Sequence, residues 1–239
     1  MSYYENENLY SYLDEALGTL CWRDIVEMLW EISGGIEYIH ESELIHKNLH
    51  GGNLLVEDNQ NFIDIHITDM GLYGPTDNKD SNDIYGVLPY VAPEILQGNS
   101  QTKESDIYSF GIIMWTFSAG IRPWCNRPHN LSLATEICSG LRPEIIDGTP
   151  DVYIQLMKQC WNSDPLERPT ASQINELLES WITAICDEPD QSELSDQFDI
   201  AEEKKFSDLI KIKFQKQIIH PQAFYTSRHL YFPELVNHI

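Results

Sequence analysis

Between Arg23 and His40 the apolar residues Ile25, Leu29, Ile32, Ile36 and Ile39 recur every three or four positions. That spacing predicts a helix with one buried face. Gly34 and Gly35 weaken it but allow another segment to approach closely. NLLV and IDIHIT read as two short strands, and EDNQN between them carries turn residues. The stretch IYSFGIIMWTFSAG, 107–120, is apolar almost throughout and predicts a buried helix, with Ser105 or Asp106 able to cap it. It is too short to span a bilayer. Further helical segments are expected near 130–139, 151–161 and 171–185, with SDPLERPT as a loop before the last. Residues 71–93, rich in Gly, Pro and Asp, predict a long loop, which in a compact domain is functional or disordered.

Beyond this pattern the composition changes. DEPDQSELSDQFD, 187–199, reads as an acidic linker. AEEKKFSDLIKIKFQKQ then places Phe206, Leu209, Ile210 and Phe214 on one helical face, expected to dock on the domain itself or, as the alternative, on a partner. The expected division is one domain over 1–185, a linker over 186–200, and an amphipathic helix with a tail over 201–239.

The chain has 239 residues, 42% of them hydrophobic, enough for a substantial core. Its net charge of −23 is uneven. Residues 1–200 hold 34 acids against 9 Lys and Arg; residues 201–239 hold 4 against 6. An acidic body repels nucleic acid and anionic membrane, so neither is expected as a main partner. Five widely spaced cysteines without a CxxC pair suit reduced thiols and a cytoplasmic location. MSYYENENLY has no basic start and no apolar run, so it is not expected to act as a secretory signal.

The chemistry concentrates in HKNLHGGNLL, 46–55. His46 and His50 are four apart, but the zincin pattern needs Glu directly after its first His, and Lys47 stands there. A longer match fits better. His46-Lys47-Asn48-Leu49 followed by Asn53 has the spacing of H-R-D-L-x-x-x-N. Asp69-Met70-Gly71 resembles D-F-G, and Ala92-Pro93-Glu94 resembles A-P-E. SDIYSFGIIMW (105–115) and CWNSDPLERPT (160–170) resemble the motifs that follow. Five in order are not chance. The chain resembles the large, mostly helical lobe of a protein kinase of the tyrosine-kinase-like group, over about residues 1–185.

The resemblance implies a mainly α, kinase-like fold with short β-hairpins at the catalytic loop. It implies ATP and Mg²⁺ as cofactors and a protein as substrate or partner. Asp69 and Asn53 would be the Mg²⁺ ligands and Leu55 the floor of the adenine pocket. MSYYENENLYSYL resembles the hinge, with Met1–Tyr4 passing the adenine edge. Asp106 would brace the catalytic loop, and Glu94 would pair with a buried Arg168. His46, Lys47 and Asn48 occupy the catalytic triplet.

The chain departs from the family pattern at that triplet. Asn48 replaces the catalytic Asp, and an amide cannot accept the substrate's proton; losing a general base costs roughly 10²–10⁴ in rate. His50 and Gly52 stand where Lys or Arg often approaches the γ-phosphate, and Val87 stands where a Thr often bonds the Asp. Lys47 replaces an Arg and offers a point charge instead of a fork. Thr76, Ser81 and Tyr85 are phosphorylatable but equally ordinary loop residues. No GxGxxG occurs, and Lys47 is the first lysine. The expectation is a pseudokinase-like binding or scaffold module without the small lobe. The alternatives are an active kinase whose sequence is incomplete at the front, and an unrelated helical interaction protein, for which no Glu94–Arg168 contact is expected. The 201–218 helix is expected to cover part of the hinge face.

Overall fold

A computed structural model describes residues 8–16, 20–59, 62–70, 84–186, 192–212 and 218–236. The elements run α1 (Leu9–Ala16), α2 (Trp22–Glu41), β1 (Leu54–Asn59), β2 (Phe62–Ile67), β3 (Ile84–Gly86), α3 (Pro93–Leu96), α4 (Lys103–Ala119), α5 (Leu131–Cys138), α6 (Asp151–Cys160), α7 (Ala171–Cys186), α8 (Glu193–Ile212), β4 (Arg228–Leu230) and α9 (Pro233–Val236). The architecture is mainly helical, and two antiparallel pairs, β1–β2 and β3–β4, are its strands among the described residues. No described helix is long and apolar enough to cross a membrane.

Helix α2 forms where its periodicity predicts. Its cap is a thiol: Cys21 Sγ accepts from the Asp24 N–H, and the Asp24 carboxylate accepts from the Cys21 N–H. Ile25, Leu29, Ile32 and Ile36 face the core at 1% exposure or less. The glycine pair does provide a close approach. A Cβ on Gly35 would meet Ile67 Cδ1 at 2.9 Å, and one on Gly34 would meet Asn175 Nδ2 at 3.2 Å. Strand β2 and helix α7 therefore lie against α2.

Helix α4 is the buried centre, with thirteen residues from Ser105 to Phe117 shielded from solvent. Its cap is Thr102, one turn earlier than the expected Ser105 or Asp106. Ser105 instead returns the second bond of the capping box, its Oγ accepting from the Thr102 N–H. That frees the Asp106 carboxylate for another task. Gly111 sits where α4 crosses α6: a Cβ there would meet Cys160 Cβ at 2.9 Å.

The acidic stretch expected as a linker is described from Ser192 on, and there it is helix from Glu193. Ser192 and Ser195 exchange caps, and Glu193 and Asp196 lie in the first turn, where the helix dipole favours anions. Of the expected stripe, the side chains of Leu209, Ile210 and Phe214 fall outside the described residues. Phe198 is 2% exposed and Phe206 44%. Phe198 packs edge-on to Trp22 and tilted against Trp181; Glu202 accepts from the Trp22 N–H at 2.7 Å; Lys204 reaches Asp147. Helix α8 thus docks in cis at the start of α2 through Phe198 and Glu202; the hinge residues Met1–Tyr4, and the side chains of 208–217 expected to cover them, fall outside the described residues. Asn8 bridges Leu55, and the β1–β2 hairpin bonds further along α2, where Glu31 accepts from the Ile65 N–H.

Glu94 and Arg168 meet as a buried pair. The guanidinium donates to both carboxylate oxygens, at 2.7 and 2.9 Å. It also donates to the carbonyls of Glu104 and Asn162 and lies 5.3 Å from the Tyr108 ring centre. One side chain thus ties α3, α4 and the loop before α7. The Arg168 side chain has no exposed surface. Glu94→Ala strands that cation and is expected to cost about 3–5 kcal/mol in urea unfolding, with Glu94→Gln intermediate. A loss below about 1 kcal/mol would show that the pair is not a brace.

Candidate functional site

The loop between α2 and β1 is shaped by one carboxylate. Asp106 Oδ2 accepts from the His46 N–H at 2.8 Å and Oδ1 from the Lys47 N–H at 2.9 Å. His40 Nε2 lies 3.0 Å from Oδ2. Held this way, Lys47 takes φ +69°, a left-handed conformation that costs a non-glycine residue energy and persists only when its surroundings impose it. Its side chain is on the exposed side.

His46 is fully buried. Its Nδ1 accepts from the Asn48 N–H at 3.3 Å, so Nε2 carries the proton and donates to the Thr68 carbonyl at 3.0 Å. Burial lowers its pKa, opposed by Asp106. Asn53 adds a second tie: its Nδ2 donates to the Asn48 carbonyl, and its own carbonyl accepts from the Thr68 N–H and hydroxyl. Asp69 follows directly, exposed and at φ +55°. His46, Lys47, Asn48, Asn53 and the residue before Asp69 thus form one hydrogen-bonded knot on Asp106.

The other expected residues lie around the knot. Leu55 is half-buried on the face of β1 opposite the buried Leu54 and Val56. Glu94 and Arg168 lie apart, as the brace described above. Met1–Tyr4, Gly71, Thr76 and Ser81 fall outside the described residues. Tyr85 lies in β3, its ring near that of His229.

Asn48 itself is buried and in use. Its Oδ1 accepts from the Ser227 hydroxyl at 2.8 Å. Ser227 Oγ also lies 2.9 Å from His50 Nε2. His50 Nδ1 accepts from the Gly52 N–H at 3.0 Å, so Nε2 is the protonated nitrogen. The relay therefore has a direction: His50 donates to Ser227, and Ser227 donates to Asn48. The other end of the amide is less well served. Asn48 Nδ2 is buried without a partner, and Asn48 and Val87 line the same small cavity. With Val87 offering only methyls there, that orphaned N–H costs about 1–3 kcal/mol.

Ser227 gave no signal in the sequence. It lies in a short polar run without periodicity, 179 positions from Asn48. The surplus of basic residues after 200 beside an acidic body was the one general hint that this end folds back.

The relay makes stability depend on pH. Burial pushes the His50 pKa down from 6.5 to about 4. The unfolded chain therefore takes up a proton first as pH falls. The contribution of His50 is complete above about pH 6.5 and is lost progressively towards pH 4, up to about 3 kcal/mol. Protonation would also fill Nδ1 and expel the Gly52 N–H. Urea midpoints measured from pH 7.5 to 4 are expected to fall, and His50→Gln to flatten the fall. An unchanged slope in that variant would assign the pH dependence elsewhere.

A sequence model of the protein tyrosine and serine/threonine kinase family matches residues 1–178. The chain is 31% identical over 180 residues to the probable serine/threonine-protein kinase drkA of Dictyostelium discoideum, covering 74% of this chain and 28% of that protein. It is 32% identical over 180 residues to drkB of the same organism, covering 74% and 26%. Over 157 residues it is 32% identical to the putative serine/threonine-protein kinase/receptor R818 of Acanthamoeba polyphaga mimivirus, covering 64% and 9%. The chain thus spans less than a third of the length of these relatives. With the family match running from the first residue through the Arg168 loop, the chain belongs to the protein tyrosine and serine/threonine kinase family.

Proposed function

We propose that residues 1–185 are the large lobe of a protein kinase domain and act as a pseudokinase-like binding or scaffold module, impaired in phosphoryl transfer. The observation that carries this is the Asn48 amide at the place of the family's general base, accepting a hydrogen bond from a serine hydroxyl. A carboxylate there would draw the proton from the acceptor; an amide oxygen orients the hydroxyl and goes no further. Val87 and the point charge of Lys47 add to the impairment.

The donor atoms beside the knot suit a hard cation. Asn53 spends its amide nitrogen on the loop, which leaves the amide oxygen as the atom a cation would meet, and the Asp69 carboxylate follows Thr68. These two residues would hold Mg²⁺, and Leu55 would lie under an adenine ring. A bound Mg²⁺ supplies neutralisation of phosphate charge. Retention of these groups favours the alternative, an active kinase of which this chain is a part.

A thermal-shift titration with ATP and Mg²⁺ separates the two. For a pure scaffold, the melting temperature is expected to stay unchanged at millimolar nucleotide in both the parent and Asp69→Ala. A metal-dependent rise in the parent that disappears in Asp69→Ala would instead establish a nucleotide site.

A further inference from the structure

The segment 218–236 folds back beside the catalytic loop: a turn near 221–222, an irregular stretch through Ser227, strand β4 and helix α9. It enters beside the loop before α5, where the His220 N–H donates to the Cys125 carbonyl and the His129 N–H to the Gln222 carbonyl. Tyr225 is the anchor. Its ring is edge-on to Tyr10 and His129, Arg122 lies 5.6 Å from the ring centre, and its hydroxyl donates to the Pro123 carbonyl at 2.7 Å. Arg228 donates to the His129 carbonyl at 2.7 Å and stacks 4.3 Å from the Phe224 ring centre. Residues 228–230 then add an antiparallel strand to 84–86, the strand that leads into the Ala92-Pro93-Glu94 loop.

Between the anchor and the strand stands Ser227, its hydroxyl hydrogen directed at Asn48 Oδ1 by the His50 relay. A kinase's general base accepts the proton of the substrate hydroxyl at this position. Main-chain pairing with an exposed strand, plus pockets for alternate side chains, is how extended peptides are recognised.

We propose that the groove made by the catalytic loop, β3 and the loop 122–130 is a peptide-recognition site, and that residues 218–236 are its resident ligand, with Ser227 in the acceptor position. The ligand class it takes is an extended segment of the form aromatic, any residue, Ser or Thr, Arg, as in Tyr225–Arg228. The hydroxyl is held and not activated, so the segment is a pseudosubstrate. The family assignment supplies only the meaning of position 48; the groove and its occupant stand on their own contacts. A peptide from another protein must displace this segment, which is present at an effective concentration on the order of millimolar.

The test uses the full chain and a fluorescein-labelled synthetic peptide of residues 218–236, followed by anisotropy without nucleotide. The double variant Tyr225→Ser/Arg228→Ser is expected to release the resident segment and to bind the peptide at least about tenfold more tightly than the parent. A scrambled peptide, or one carrying Tyr225→Ser, is expected to bind neither chain. Equal affinity for parent and variant, no binding to either, or equal binding of the scrambled peptide would overturn the proposal. If the double variant does not fold, hydrogen exchange on the parent decides. Amides of 84–86 and 228–230 are expected to be protected together, and exchange at unfolded-peptide rates would overturn it. Because no nucleotide is present, failure here leaves the scaffold and nucleotide readings untouched.

Discussion

The Asp106 carboxylate lies at the base of everything that makes this loop a site. It lies 1% exposed at the start of α4 and takes two successive backbone N–H groups on its two oxygens. Only a bent chain can present two neighbouring amides to one carboxylate, so the bonds and the left-handed Lys47 come together. From that bend His46 turns inward to Thr68, Asn48 turns toward the groove, and Asn53 closes the loop on Asn48. The capping box at Thr102 and Ser105 matters for the same reason. It settles the helix end without using Asp106.

The knot separates structural from chemical retention. On the proposed reading, a carboxylate at 48 would serve proton transfer and bond with a hydroxyl at 87, and Asn48 and Val87 alter both partners. What remains is the framework: Asp106 on the loop, Arg168 on Glu94, Asn53 on the strand leading to Asp69. Each is worth energy to the fold irrespective of turnover, since each satisfies groups that are otherwise buried and unpaired.

Much of this was legible because the relevant residues act locally or carry a distinctive charge. The 46–53 loop, the Asp106 brace and the Glu94–Arg168 pair each rest on residue types few alternatives can replace, and α2 and α4 announced themselves by periodicity and apolar length. The acidic start of α8 misled because composition alone cannot distinguish a solvated linker from a helix whose first turn welcomes anions. Phe198, a lone aromatic inside that acidic run, makes a docking contact that composition does not announce. The tail stayed hidden for a different reason. An extended strand three residues long has no period, and its partner β3 lies more than 140 positions earlier in the chain.

The pairing of β4 with β3 also carries a kinetic consequence. A ribosome releases residues 84–86 and the 46–53 loop long before 228–230 exist, and domains fold as they emerge. The edge of β3 therefore stays unpaired at first, open to any passing strand. Closing a contact across that much chain is slow compared with forming local helices. The nascent chain is thus more adhesive until 228–230 have been made and have paired with β3.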